Sequence, residues 1–458
     1  MKTKPSIHCI PRRQFLKGTA VGTLGFTFAP GHVLGLRGAQ SPNEKLNIAA
    51  IGCAGQGAGD INNVASENIV ALCDVDWRHA AGTFKKFPDA KRYKDFRKML
   101  DEEKNIDAVI VATPDHVHAF ASMHAIKLGK HVYCEKPLTH SVWEARQVAL
   151  AAREAKVATQ MGNSGQASEG TRLLSETVWD GAIGPVREVH IWTDRPSRGL
   201  FDEYWAQGLG RPTDTPPVPE TFEWDLWVGP APIRPYHPAY VPFKWRGWWD
   251  FGTGALGDIG CHTFDPVFRA LKLGHPISVE ATSTRVNEET YPLASMVTYE
   301  FPARGEMPPM KLVWYDGGLR PPRPPELEDG REMPTVTGAL LIGDKGKILS
   351  QQRGARLIPE KRALEYGKPP QKLERSPGHF VEWIQACKGG KEKPGSNFDW
   401  AGPLTEVVLL GNIALRLKLR GELTKHKLLW DPVKFQFTNL PEANQFLRRE
   451  YREGWSLA

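Results

Sequence analysis

The chain has 458 residues, 41% of them hydrophobic and 24% charged, which suits a globular protein too long for one core, so two domains are expected. A formal charge of +7 does not point to nucleic acid, because six basic residues (Lys2, Lys4, Arg12, Arg13, Lys17 and Arg37) and no acid stand in residues 1–40, and the remainder is almost balanced. The six cysteines show no CxxC spacing, so neither a zinc site nor a disulfide framework is expected.

Residues 1–40 read as an export signal. Arg12-Arg13-Gln14-Phe15-Leu16-Lys17 is a twin-arginine box, followed by an apolar run from Gly18 to Ala29 that is too short and glycine-rich to span a bilayer. No cysteine follows the run, so no lipid or membrane anchor is expected, and the destination is the periplasm. That route carries folded proteins, so a cofactor loaded before export and then retained is the expectation.

Residues 45–165 alternate strand and helix patterns. Strands are expected over 46–52, 69–75, 107–113, 131–135 and 157–161, all with the continuous apolar character of strands buried on both faces. Helices are expected over 96–103, 118–128 and 142–155, the last opened by a capping box of Ser141 and Glu144. Such alternation predicts a doubly wound parallel sheet of the Rossmann type. After the first strand, Gly52, Ala54, Gly55, Gln56 and Gly57 form a glycine turn in which Gly52, Ala54 and Gly57 take the dinucleotide fingerprint positions. Backbone N–H groups at the following helix N-terminus suit a pyrophosphate. The second strand ends at Asp74, placed to bond the adenosine ribose and repel a 2′-phosphate, which favours NAD; nearby Arg78 leaves NADP possible. Thr113, Pro114, His116 and His118 close the third strand and are expected to line the cofactor crevice; two histidines without a third ligand do not make a metal site. Glu135, Lys136 and Pro137 close the fourth strand.

Residues 166–458 change texture. Strand patterns are expected over 186–193, 278–285, 295–301, 311–315 and 339–342, with late helices over 379–387 and 404–417. This predicts an α+β domain built on an open, mainly antiparallel sheet. Pro321–Pro325 falls in a long connection expected to be a surface loop or lid. Trp248, Trp249, Arg246 and Asp250 combine aromatic faces with polar groups suited to a sugar ring, and Trp192 and Tyr204 are further candidates for that pocket. Asp258 and His262 stand four apart and share one face if helical. A neutral imidazole of ordinary pKa near ~6.5 can take a hydroxyl proton while hydride leaves the same carbon. Asp258 would hold its tautomer or charge, and Lys136 would bond the reacting oxygen.

On the glycine turn, Asp74, the segments 113–118 and 135–137, and Asp258 with His262, residues 45–455 resemble the Gfo/Idh/MocA oxidoreductases, and most of all their exported twin-arginine subgroup. The resemblance implies a Rossmann domain followed by an open-faced sheet domain, sugars or cyclitols as substrates, Glu135-Lys136-Pro137 beside the nicotinamide, and Asp258 and His262 as the catalytic acid–histidine pair. Ala54 departs from the glycine pattern. The expected activity is hydride transfer between a retained nicotinamide cofactor and a secondary alcohol of a sugar, glycoside or cyclitol, in a homo-oligomer joined through the C-terminal sheet. The alternatives are a glycosidase working through transient oxidation and elimination, and a non-catalytic sugar-binding protein with a vestigial Rossmann domain.

Overall fold

A computed structural model describes residues 44–198, 202–351, 354–417 and 427–457. The twin-arginine box and Cys9 lie outside these residues. From Leu46 onward the described residues form one compact unit.

The first half lays down β1 (Asn47–Ile51), α1 (Gln56–Asn63), β2 (Asn68–Cys73), α2 (Ala81–Lys86), β3 (Lys91–Tyr93), α3 (Phe96–Glu102), β4 (Ala108–Val111), α4 (Asp115–Lys127), β5 (His131–Cys134), α5 (Val142–Ala155) and β6 (Thr159–Met161). The six strands pair in parallel in the order β3-β2-β1-β4-β5-β6. All four residues of β4 are buried, as expected of an apolar run covered on both faces. The capping box forms at α5: Glu144 N donates to the Ser141 hydroxyl, and the Glu144 carboxylate takes the Ser141 N–H. The strand order reverses between β1 and β4, so the crevice above their carboxyl ends is where this architecture binds ligands.

The second half contains α6 (Glu169–Trp179), β7 (Val186–Thr193), the short pair β8 (Ser197–Arg198) and β9 (Asp202–Glu203), α7 (Trp224–Val228), α8 (Gly254–Ala270), β10 (Ser278–Ser283), β11 (Ser295–Phe301), β12 (Met310–Tyr315), β13 (Thr337–Gly343), β14 (Gly346–Gln351), β15 (Gly354–Ile358), α9 (Glu360–Tyr366), α10 (His379–Cys387), α11 (Phe398–Arg416), β16 (Leu428–Asp431) and β17 (Gln436–Phe437). A nine-stranded sheet runs β15-β14-β13-β7-β12-β11-β10-β16-β17, antiparallel except where β7 meets β12. Helices α6 and α8 were not anticipated as elements of this half; α8 is the longer and carries Asp258 and His262.

Helix α11 packs against both α5 and α8, and one apolar core continues from the parallel sheet through these helices to the inner face of the nine-stranded sheet. This continuity fixes α8 relative to the ends of β4 and β5. The outer face of the large sheet is partly covered by the connection after β12, which lays Leu327 and Met333 over Trp192, Val313, Leu340 and Leu349. The proline-rich segment Pro321–Pro325 therefore belongs to a cover for the sheet and is not a lid on the crevice. Among the described residues no helix is long and apolar enough to cross a membrane.

Candidate active site

A cavity of about 550 Å³ opens above the carboxyl ends of β1, β2, β4 and β5 and is closed from above by the second half of the chain. Its size falls in the range of small-molecule and cofactor sites. The two ends of the cavity are built differently.

At one end the backbone does the work. Gly52 has φ +85°, and a Cβ there would stand 2.4 Å from Ala112 O, so only glycine lets β1 turn this close to β4. At Gly57 a Cβ would stand 2.1 Å from Gly52 O, which is the close helix–strand packing the third fingerprint glycine provides. Gly55 is the N-cap of α1, with φ +53° and no atom within 4 Å of a Cβ placed on it, and no side chain caps the helix. Bare glycine backbone is thus exposed at Gly55, while Ala54 sits beside it on the cavity wall. Free N–H groups and the positive end of α1 face that space.

Asp74 also lines the cavity. Its Oδ2 accepts from Cys53 N at 2.7 Å and its Oδ1 from Asp76 N at 2.8 Å, so it staples the glycine turn to the end of β2. Burial pushes its carboxyl upward, offset in part by these two N–H groups. Each oxygen keeps a lone pair for a ribose hydroxyl.

At the other end charged side chains converge. Lys136 Nζ donates to Asp258 Oδ1 at 2.7 Å and to Asp258 O at 3.1 Å, which leaves one of its three N–H bonds uncommitted. Arg246 Nε donates to the same Oδ1 at 3.1 Å, and its guanidinium stacks on Phe243 and Trp245 at 4.1 and 4.2 Å. Burial alone would raise the Asp258 carboxyl, but Lys136 and Arg246 hold it well below the usual carboxylate range. Burial would lower Lys136; Asp258 overcomes this and keeps it an ammonium. His262, one turn along α8, lines the cavity and makes no side-chain hydrogen bond with the described residues. Burial, reinforced by the charge of Lys136, holds it down to about 3 against the pull of Asp258. This corrects the ordinary pKa assumed from sequence. It also corrects half of the role read for Asp258: its hydrogen bonds go to Lys136 and Arg246 and do not hold the imidazole tautomer, while its charge still favours the protonated ring.

The remaining candidates divide. Thr113, Pro114, His118 and Glu135 line the cavity between the two ends. His118 Nδ1 lies 2.7 Å from Pro137 O and Nε2 2.8 Å from Thr113 O, so its ring ties the ends of β4 and β5 together, and burial pushes it down to about 4. Gly162 leaves room for Glu135: a Cβ there would stand 2.2 Å from Oε1. Tyr204 lines the cavity, with the Arg195 guanidinium 4.3 Å over its ring.

His116 does not reach the cavity; it is fully buried, with Nε2 2.9 Å from Trp227 O and Nδ1 3.2 Å from Phe251 O. Nor do four of the residues expected to contact substrate. Trp192 lies across Gly338, where a Cβ would stand 2.3 Å from its ring, and donates to Pro334 O at 2.8 Å. Trp248 donates to Ala239 O, and Trp249 packs on Tyr291 and donates to Asn287 O. Asp250 pairs with the buried Arg234. Buried aromatic side chains find partners for their N–H groups, and these three do so inside the core.

Asp115, within the segment 113–118 expected to line the crevice, does line it; it accepts from the Thr253 hydroxyl at 2.6 Å and is pushed by burial up to about 7. Trp245, which opens the aromatic run 245–250 read as suited to a sugar ring, lines the cavity as well. Sequence reading missed Leu226, Trp227 and Trp455, which reach the cavity from far along the chain and gave no local signal.

A parallel sheet whose first turn presents bare backbone to a crevice, with a lysine, a carboxylate and a histidine at the far end, defines a dinucleotide-dependent class of protein. Residues 46–163 match the NAD-binding Rossmann-fold model of the Gfo/Idh/MocA oxidoreductase family, and residues 199–305 match that family's C-terminal alpha/beta domain. The chain belongs to the Gfo/Idh/MocA family, and its residues 46–163 are an NAD-binding Rossmann domain. It is 28% identical over 131 residues to an inositol 2-dehydrogenase of Salmonella paratyphi B, an alignment spanning 28% of this chain and 39% of that protein. It is 25% identical over 186 residues to a levoglucosan dehydrogenase of Pseudarthrobacter phenanthrenivorans, spanning 41% of this chain and 38% of that protein. The similarity to these two relatives thus covers about two-fifths of their own length. In fold it is similar to the WlbA dehydrogenase of Bordetella pertussis, solved with NADH and UDP-GlcNAcA, with a TM-score of 0.56 at 18% identity, covering 84% of this chain and all of that one.

Proposed function

We propose that the chain is an NAD(P)-dependent oxidoreductase acting on a secondary alcohol of a sugar, glycoside or cyclitol. The observation that carries this reading is one cavity with a bare glycine backbone at one end and the Lys136–Asp258–Arg246 group beside an uncommitted His262 at the other. Gly52, Gly55, Gly57 and the α1 N-terminus would hold the pyrophosphate, and Asp74 the adenosine ribose. A nicotinamide bound there supplies the acceptor or donor of hydride. The uncommitted N–H of Lys136 bonds the carbinol oxygen, and Asp258 keeps that ammonium charged and aimed. His262 is neutral across the physiological range and accepts the hydroxyl proton, and the charge formed on it is stabilised by Asp258. Arg246, Tyr204 and Trp245 offer a cationic and aromatic wall to the rest of the ring. The test is turnover of a panel of cyclitols, anhydrosugars and glycosides with NAD and with NADP, followed by nicotinamide absorbance. Substrate-dependent reduction is expected, with NAD preferred. Absence of reduction across a panel that binds would refute the reading.

A second reading, transient oxidation followed by elimination, draws support from Asp115. It is a second carboxyl on the same cavity wall, held near neutrality. Loss of a proton beside a new carbonyl needs such a base. Free sugar released from a glycoside without net reduced cofactor would favour it.

Two further expectations complete the proposal. The twin-arginine box supports export to the periplasm, and replacing Arg12 and Arg13 with lysine is expected to leave the protein in the cytoplasm. The part of the outer sheet face bearing Glu188, Met296 and Lys311 supports a homo-oligomer, checked by sedimentation.

A further inference from the structure

We propose that residues 447–457 form a strap that retains the dinucleotide, with Trp455 closing the adenosine end of the cavity. This rests on the cofactor reading above. The strand order places β2 and β3 on one side of β1, and Lys136 beyond β4 on the other, so the wall formed by Asp74, Lys94 and Phe96 belongs to the adenosine end. Trp455 completes that wall. Its ring centre lies 6.1 Å from Phe96 and 5.5 Å from Phe120, and the Arg97 guanidinium stands 4.6 Å over its face.

The segment is tied down on both sides of the crevice. On the Rossmann side, Leu447 O accepts from Trp143 N at 2.9 Å, and Leu457 O from Lys127 Nζ at 3.3 Å. Arg449 pairs at 2.7 Å with Glu144, whose side chain is fully buried, and Tyr451 donates to the same carboxylate at 3.1 Å. On the far side, Arg452 pairs with Asp225 at 2.5 Å, and its N–H donates to Pro230 O at 3.0 Å. The segment before Asp225 is itself laced to the end of β2, with Glu223 N donating to Val75 O at 2.9 Å and Trp77 N to Thr221 O at 3.2 Å. The strap thus bridges the two walls of the crevice. A dinucleotide beneath it leaves only when the strap undocks, and several contacts must break together for that to happen. A gate of this kind slows entry and release alike, whereas a simple contact slows release alone.

The test chases labelled NAD with unlabelled NAD and measures association separately. Trp455→Ala is expected to speed both release and association by about tenfold or more, the effect of losing roughly 1.4 kcal/mol from the closed state, while Trp455→Phe stays near the native rates. Hydrogen exchange of the full native chain gives a second measurement independent of any variant: NAD is expected to slow exchange of the amides of 449–457 as well as those of 52–57. Native release from Trp455→Ala, faster release with unchanged association, or exchange slowed at 52–57 only would overturn the strap. A native protein that binds neither NAD nor NADP would instead overturn the cofactor reading beneath it.

Discussion

The two ends of the cavity are made of different material. At the glycine-turn end the groups on offer are backbone N–H bonds, and the side chains that matter most are those that are missing, at Gly52, Gly55 and Gly57. At the reaction end the groups are side chains, with two cations sharing one carboxylate and an imidazole left over. Backbone sites are inseparable from the fold that shapes them, because the same glycines permit the turn and the close packing. Side-chain sites can be stripped of chemistry while the fold stands. The comparison therefore predicts which substitutions damage binding and stability together and which damage turnover alone.

The largest effect is expected at the reaction end. His262→Ala should lower kcat by about 10²–10⁴-fold with NAD affinity nearly unchanged, measured by steady-state turnover beside cofactor titration. Lys136→Ala should impair chemistry as well and leave Asp258 with Arg246 as its remaining partner, so some loss of stability accompanies it. A His262→Ala protein with near-native turnover would move the proton to Asp115 or to water.

Next come the tryptophans that the structure assigns to the core. Trp192→Ala should cost about 3–5 kcal/mol of stability, read from denaturant unfolding, with substrate KM unchanged in whatever fraction remains folded. A changed KM with intact stability would return Trp192 to the substrate site. The backbone end gives a smaller and sharper result. Gly55→Ala meets no atom of the protein but must hold φ +53° and ψ −119°, so stability should fall by about 1–3 kcal/mol. NAD affinity should fall by about tenfold, because the methyl enters the space assigned to phosphate. Gly57→Ala, with a carbonyl 2.1 Å from the new carbon, should lose folding and binding together. Asp74→Ala should weaken NAD more than NADP.

The smallest expected effect is the absence of one. A base with its pKa held at about 3 is already deprotonated at pH 5, so kcat/KM should stay flat as pH falls from about 7 to 5. If Asp115 at about 7 is the base that limits turnover, activity should instead fall below neutrality as its carboxyl protonates. A pH–rate profile separates the two.

The same division explains what could be read from sequence. Five of the six parallel strands were legible because burial leaves continuous apolar runs, the short and largely exposed β3 was not, and β7 and β11 were legible because one-sided burial leaves alternation. The glycine turn was legible because its chemistry is local, six residues long. Lys136, Asp258 and His262 were legible as residues, but their pairing was not. Proximity of Lys136 to Asp258 is a tertiary fact, and so is the placement of Arg246 on the same oxygen. The run from Trp245 to Asp250 misled because burial and sugar recognition both favour tryptophan. Trp248 and Trp249 went to the core, and only Arg246 and the adjoining Trp245 face the cavity. Helix α6 was missed: the sequence suggests no element over 169–179, where its texture turns from helices to strands. Trp455 had no local signal at all, because its partners Phe96 and Phe120 lie far back in the chain.

The central claim is that hydride passes within this one cavity, with His262 taking the proton. NAD-loaded protein should be mixed with cyclitols and sugars deuterated at each carbinol carbon, and the nicotinamide released by denaturation should be analysed for deuterium. Deuterium is expected on the nicotinamide ring for at least one position of a turned-over substrate, and is expected to be nearly absent with His262→Ala protein that still holds NAD. Deuterium that never reaches the ring while both cofactor and substrate are bound, or that reaches it equally without His262, would contradict the account.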